Sequence, residues 1–564
     1  MNLKRVGWLF ALGALAMLSE TPAYAANPHL RPRFHTDKYG RTVEDVCPAH
    51  GPNHWRCYAQ RILKPGFQVR PDDTSTSADP NCVSQGSSPG GFTPPAGAMT
   101  PTDVNAAYSI PASTGAHGRI VALVELPSVN GLADVNAYRQ AFNIPPLAAC
   151  PTNAAGVPTP NGTACFARVG PDGTVNSVST TDCPGWAAET GLDMDMVSAA
   201  CPDCSIVLAE ADTTDGLAAM NKVAATQLSP LVVSNSWGGP ENGPGQDDDS
   251  PFDNPSTLTF VASGDEGYMD EDDGNGTAVG ADFPSSSSHV IAVGGTTLLG
   301  GNGAYTETVW NDDALQAGSG AGGSGCSGEY ASPSYQLTSG FNFGSCAMRA
   351  AVDVSAAAEF NPSASGEGGI AVYDADDNGW NPLVGTSAAC PLTAAIMARV
   401  GLGGKDQHEL IYKNAAAFND VTSGTNDNDG LCSDVMCNAG AGWDGPTGVG
   451  SPNGEKLAAL ADPGSETPVS PADAGAATPE AGVAPDTGLA SEPVEGDAGL
   501  AAPNTGSQSE PGSSSNGDQP STSGPGAAPK GCACDVAPGH GSAWGGWLCL
   551  GLAALALRRR SARG

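Results

Sequence analysis

Short apolar runs separated by helix-like stretches constrain the fold of this chain more than any other feature. Ile120, Val121, Leu123 and Val124 lie inside 119–125, and similar runs recur at 205–209, 231–235, 259–262 and 289–293. A run that is apolar without alternation suits a strand covered on both faces. Helical patterns fall between several of the runs, over 185–200 and 214–227. Strands alternating with helices predict an α/β domain on a parallel sheet flanked by helices. Glycine-rich stretches such as 318–328 read as long loops, which on such a scaffold shape a cleft.

The remaining segments read differently. Residues 1–25 have the layout of a secretory signal: Lys4 and Arg5, an apolar core from Trp8 to Leu18, and Ala23-Tyr24-Ala25 as a small-residue cleavage site. Residues 26–97 are a short polar, Pro-rich pro-segment or extension, and 98–461 form the domain. Residues 462–530 contain no aromatic residue and Lys530 as their one base, a composition that cannot bury a core and predicts a disordered stalk. Residues 531–564 contain Gly531-Cys532-Ala533-Cys534, an apolar stretch from Trp544 to Leu557, and Arg558-Arg559-Arg560. As a helix that stretch spans about 21 Å, short of the roughly 30 Å hydrocarbon core, so it reads as a sorting signal more than a permanent anchor.

Export implies an oxidising compartment, so most of the 16 cysteines are expected in disulfides. Thirteen lie between the signal and the tail, an odd number that leaves Cys390 as the candidate free thiol. Cys47/Cys57, Cys326/Cys346 and Cys432/Cys437 are plausible local pairs. Cys201 and Cys204 suit a local disulfide better than a zinc half-site, since no second such pair accompanies them. The net charge of −36 argues against nucleic acid as a partner, because phosphate binding needs basic patches. It suits a solvated acidic surface or adaptation to acid, where a base-poor chain has little charge left to repel itself.

Chemistry concentrates in Gly385-Thr386-Ser387-Ala388-Ala389-Cys390-Pro391. A small, flexible turn presenting Ser387 ahead of a helix over 391–398 suits an exposed nucleophile, with N–H groups and the helix dipole favouring an oxyanion. Glu189 and Asp193 stand four apart, one turn apart on one helix face. That spacing also suits an exposed acidic face, but Ala188, Leu192, Met196, Val197 and Ala199 make the helix largely apolar. Two close carboxyls split their pKa values, so one can accept the serine proton while the other orients it. Asp265 follows a strand, where parallel sheets place catalytic groups; protonated, it can donate to an oxyanion, although a simple turn would also use it.

In order along 98–461, the motifs resemble the sedolisins, serine-carboxyl peptidases of subtilisin-like fold. They are Thr100-Pro101 with Tyr108, Glu189-Thr-Gly-Leu-Asp193, Ser234-Asn-Ser-Trp-Gly238, Ser263-Gly-Asp265-Glu-Gly267, Ala292-Val-Gly-Gly-Thr-Thr-Leu298, Asp353-Val-Ser-Ala356 and Gly385-Thr-Ser387. The resemblance implies Ser387 as nucleophile, Glu189 as general base, Asp193 behind it and Asp265 as oxyanion donor. It also implies one structural Ca²⁺, held by Asp420 and Asp444 carboxylates and by the carbonyls of Val421, Gly440 and Gly442; hard oxygen ligands in a glycine-bent loop suit that ion. Asp427-Asn428-Asp429-Gly430 and the acidic stretch 374–379 lack a Glu at the twelfth loop position and read as acidic turns. The family carries a larger folded propeptide than 26–97, and Cys390 replaces a small residue after the serine. The tail resembles the myxobacterial MYXO-CTERM sorting signal, which implies retention on or release from the cell envelope.

The expected protein is therefore a monomeric, secreted or cell-surface endopeptidase acting on proteins or peptides at acidic pH. A histidine triad is the rival within hydrolases, but His117-Gly118-Arg119 precedes a strand instead of opening a helix. A rival of another class is a catalytically inactive surface-binding scaffold on a stalk.

Overall fold

The computed structural model describes residues 34–461 apart from 48–54, 64–92, 113–115, 184, 242–246, 269–279, 313–319, 364–367, 377–378, 404–407, 429 and 431. The segments read as a signal, a stalk and a sorting tail lie outside the described residues. Among the described residues no helix is long and apolar enough to cross a membrane.

The apolar runs become a nine-stranded sheet. Its parallel order runs Ala148–Ala149, Cys165–Val169, Ser205–Glu210, Ile120–Glu125, Val232–Asn235, Leu258–Ala262 and Ile291–Gly301. The last strand also pairs with Val354–Asn361 in parallel and with Ala304–Val309 antiparallel. Every residue of Ile120–Glu125 and of Ser205–Glu210 is buried, as unbroken apolar runs require. Helices Ala187–Ala200 and Thr386–Val400 pack on each other, and the second lies along the central strands. Helix Leu217–Gln227, led in by a 3-10 turn at Thr214–Gly216, packs against three of those strands.

Two expectations need correcting. The run at 289–293 extends to Gly301 and turns into the antiparallel hairpin. The glycine-rich stretch read as a loop forms strand Ala321–Ala331, paired with Glu266–Tyr268 and Met348–Ala351. Its glycines serve close approach: a Cβ on Gly323 would come within 2.1 Å of the Ser263 carbonyl oxygen, and one on Gly325 within 2.8 Å of the Ala281 nitrogen.

Residues 34–63 join two further sheets. One runs Phe34–Thr36, Thr42–Asp45, Gln60–Ile62, Gly379–Val384, Ile370–Asp374; the other runs Asp282–Phe283, Trp237–Pro240, Arg56–Cys57. Disulfides link Cys47–Cys57, Cys150–Cys165, Cys201–Cys204, Cys326–Cys346 and Cys432–Cys437. Cys183 is also disulfide-bonded. Cys390 is the free, buried thiol that the odd count called for.

Candidate active site

Ser387 sits in the first turn of helix Thr386–Val400, at the carboxyl edge of the parallel sheet. The helix thus begins before Pro391, and Ser387 is 0 % exposed where an exposed turn residue was expected. Proline is tolerated because the carbonyl its missing N–H would have bonded, that of Ser387, lies 3.4 Å from Ser236 Oγ. Burial comes from the N-terminal segment, which lies over the serine. Gly385 has φ +135°, and a Cβ there would stand 2.0 Å from the Tyr58 carbonyl oxygen and 2.9 Å from Asp265 Oδ2, so only glycine fits. The Ser387 hydroxyl donates to the Ser236 carbonyl at 3.2 Å and accepts from the Tyr58 N–H at 3.1 Å.

Glu189 and Asp193 occupy helix Ala187–Ala200, all fourteen residues of which are buried. The acidic-face alternative is thereby excluded. Carboxylate oxygens of Glu125, Glu189 and Asp193 lie within 4.8 Å of one another. Burial pushes the Glu189 carboxyl well above its ordinary range; the charges of Glu125 and Asp265 add to this, while the nearby Ser387 hydroxyl opposes it. Asp193 is raised by burial, then by Glu125 and Glu189. Asp193 accepts from Ser236 Oγ at 2.9 and 3.0 Å, which ties it to the segment under the serine.

Sequence reasoning missed Glu125. Burial moves its carboxyl up to about 7, against hydrogen bonds that favour the ion, and it accepts from Trp186 Nε1 at 2.6 Å. The available signal was an acid ending an otherwise apolar strand. Ser236 stood in a quoted motif without a role, and here it bridges Asp193 and Ser387.

Asp265 follows strand Leu258–Ala262. Its Oδ1 accepts from the Thr386 N–H at 2.8 Å and from Thr386 Oγ1 at 2.9 Å, placing it against the residue before Ser387. His117 is far from this chemistry in its contacts: its side chain is 64 % exposed and faces Asp203. Cys390 packs with its Sγ 3.3 Å from Ser234 Oγ, and burial pushes the thiol up to about 12, so it is no rival nucleophile.

The residues expected to hold calcium also come together. Gly440 N–H donates to Asp444 Oδ2 at 3.0 Å, and Gly442 N–H to Asp420 Oδ2 at 3.1 Å. Asp444 is fully buried and its carboxyl is pushed up to about 7, first by burial, with the Asp420 charge adding to it. A buried carboxyl beside a second carboxylate in a glycine-bent loop is a donor set that a hard cation suits.

Residues 180–406 match the model of the subtilase family. Kumamolisin of Bacillus sp. (strain MN-32) is 31% identical over 382 residues, 64% of this chain and 63% of kumamolisin. Sedolisin of Pseudomonas sp. (strain 101) is 35% identical over 213 residues, 35% of this chain and 34% of sedolisin. The chain thus spans less than two thirds of the length of these relatives. The solved structure of Pseudomonas sedolisin, described as a serine-carboxyl proteinase complexed with two molecules of pseudo-iodotyrostatin, has a TM-score of 0.52 at 26% identity, over 65% of this chain and 99% of that one. The fold is the subtilisin-like α/β fold. Within it, these likenesses support a place among the sedolisins.

Proposed function

We propose that the chain is a serine-carboxyl peptidase that hydrolyses peptide bonds in proteins or peptides through an acyl-enzyme. The observation that carries this is the buried Glu125–Glu189–Asp193 cluster, its oxygens within 4.8 Å, bound through Ser236 to the Ser387 turn. Glu189 takes the proton from Ser387 Oγ, Oγ attacks the substrate carbonyl carbon, and the proton passes to the leaving nitrogen. Asp193 orients and polarises Glu189. The Ser387 N–H and protonated Asp265 stabilise the oxyanion. Water then hydrolyses the ester.

Three coupled carboxyls release their protons in steps that belong to the cluster. The first proton lost supplies the base, and further ionisation, with Glu125 near 7, crowds the site with charge. The reading therefore expects an acidic optimum, with the rate on unfolded casein falling as pH rises through 7. A profile peaking above pH 8, or no hydrolysis between pH 3 and 7 with and without calcium, would count against it; the second result favours the inactive scaffold.

Asp420, Asp444 and the carbonyls of Val421, Gly440 and Gly442 would hold one structural Ca²⁺, which cross-links two loops and stabilises the fold by mass action. Chelation with EDTA at pH 6 is expected to lower the melting temperature, with recovery on adding calcium but not magnesium. An unchanged melting temperature removes the site. The five disulfides among the described residues suit an exported protein. Secretion, envelope retention through the tail and a monomeric state complete the reading.

A further inference from the structure

The hairpin that leads into Ser387 carries, at its far end, a cluster of aspartates that the proposed chemistry leaves unused. Its strands are Ile370–Asp374 and Gly379–Val384, and the second runs directly into Gly385-Thr386-Ser387. The tip holds Asp374 and Asp376. Counted alone, such an acidic turn supplies too few ligands for a cation. The fold adds carboxyls from two other segments. Asp134 comes from the first turn of helix Gly131–Ala141, and Asp182 from the loop ahead of helix Ala187–Ala200.

The contacts converge on the tip. The Asp134 carboxylate accepts from the backbone N–H of Ala375, which lies between the two hairpin aspartates. The Asp182 and Asp376 carboxyls are hydrogen-bonded to each other. Asn130, at the start of the Asp134 helix, donates from Nδ2 to the Asp376 oxygens at 3.3 and 3.4 Å. The Asp376 N–H donates to Asp374 Oδ1 at 2.7 Å. Asp134 and Asp374, 1 % and 2 % exposed, form a floor, while Asp182 and Asp376 are partly exposed and form a mouth.

Two buried oxygens at this place have no hydrogen-bond partner. One is Asp134 Oδ2; the other is Asp195 Oδ1, whose second oxygen accepts from the Tyr373 N–H at 2.9 Å. A buried carboxylate oxygen without a donor is costly, and each such case calls for a cause. Two acids in contact, as Asp182 and Asp376 are, need a proton or a cation between them. Burial, then the charges of Asp374 and Asp376, pushes Asp134 up to about 8. Arg61, the cation that acts on Asp374, is already paired with Glu44 at 3.2 Å.

We propose that Asp134, Asp182, Asp374 and Asp376 form a second cation site, separate from Asp420 and Asp444, and that it takes Ca²⁺. The donors are all carboxylate oxygens, which a hard cation suits, and they come from three separate segments. Calcium accepts such irregular geometry, whereas magnesium demands a near-ideal octahedron. Among the described residues the catalytic trio alone brings three such oxygens within 4.8 Å. The four at the tip stand wider, as like charges do, and the two at the mouth can close on an ion. The site also has a place in the architecture. Gly191 lies between Glu189 and Asp193, and a Cβ there would stand 3.1 Å from the Tyr373 carbonyl oxygen and 3.5 Å from Asp374 Oδ2. An ion at the tip therefore clamps the hairpin that ends at Ser387 onto the helix that carries its base.

The inference does not rest on the peptidase reading, and its test uses the full chain. Protein stripped with EDTA is exchanged into metal-free buffer at pH 7 and titrated with calcium chloride by calorimetry. Wild type is compared with Asp134→Asn/Asp376→Asn and with Asp420→Asn/Asp444→Asn. Each pair is expected to remove one bound ion per chain and leave the other pair's ion in place. Asparagine keeps the volume and removes charge, so the tip variant should melt no lower than wild type in EDTA and gain fewer degrees from calcium. Asp376→Asn alone, at the mouth, should weaken that ion's binding at least about tenfold, which keeps the test open should the double variant fail to fold. A wild type that binds one ion, lost only with Asp134 and Asp376, supports this site and removes the other. Equal stoichiometry and an equal calcium-induced rise in melting temperature in wild type and both tip variants overturn the inference. Displacement of that ion by equimolar magnesium overturns the choice of calcium.

Discussion

Replacing Glu189 with glutamine is expected to lower kcat for peptide hydrolysis by about six orders of magnitude, as losing the proton acceptor does in a serine protease. The reason is local. Within the cluster, Glu189 is the carboxyl on whose pKa the Ser387 hydroxyl acts, and it is fully buried. Glutamine fills the same volume but accepts no proton, so Ser387 loses its base and keeps its place. Ser387→Ala should fall as far, and the double variant no further, because residues that act as one unit are not additive. Melting temperature separates chemistry from folding. The neutral amide removes a carboxyl from a crowded site, so Glu189→Gln should melt no lower than wild type at pH 7. Full activity in Glu189→Gln would return the histidine reading to consideration. Activity near background in wild type and both variants alike would favour the inactive scaffold.

Much of the fold was legible in the sequence because its signals are local. Each continuous apolar run became a central strand, since a strand covered on both faces has no polar alternation to hide it. Glu189 and Asp193 were legible because four-residue spacing and an apolar helix can be read without knowing the neighbours. Glu125 was not, because a single acid ending a strand acquires meaning only when Ala187–Ala200 packs beside it. The glycines of Ala321–Ala331 read as loop because composition does not report a close-packed neighbour. The pairing of the N-terminal segment was hardest: Arg56–Cys57 is two residues long, and its partner at Trp237 is remote in sequence.

The fold should also be most stable in acid and lose stability as the solution is neutralised. In the unfolded chain carboxyls ionise near their ordinary values, about 4. In the folded protein burial moves Glu125 and Asp374 up to about 7 and Asp134 up to about 8, and raises Glu189, Asp193 and Asp195. A carboxyl whose folded pKa is raised holds its proton more tightly when folded. Its contribution is complete below about pH 4 and disappears as pH rises through 7 to 8. For Glu125 alone the shift corresponds to about 3 kcal/mol as an upper bound. Several such groups together should lower the melting temperature by about 10 °C between pH 4 and pH 8. Surface repulsion from the net charge of −36 acts in the same direction, and salt tells the two apart. Repulsion between exposed charges is screened, so its share vanishes in 0.5 M sodium chloride. The share owed to buried carboxyls remains, and Asp134→Asn and Glu125→Gln should each shrink it. A melting temperature that rises toward pH 8, or a drop that salt abolishes, would mean that the buried acids ionise as freely in the folded protein as in the unfolded chain. The proton-sharing cluster beneath Ser387 could then not exist in the form described.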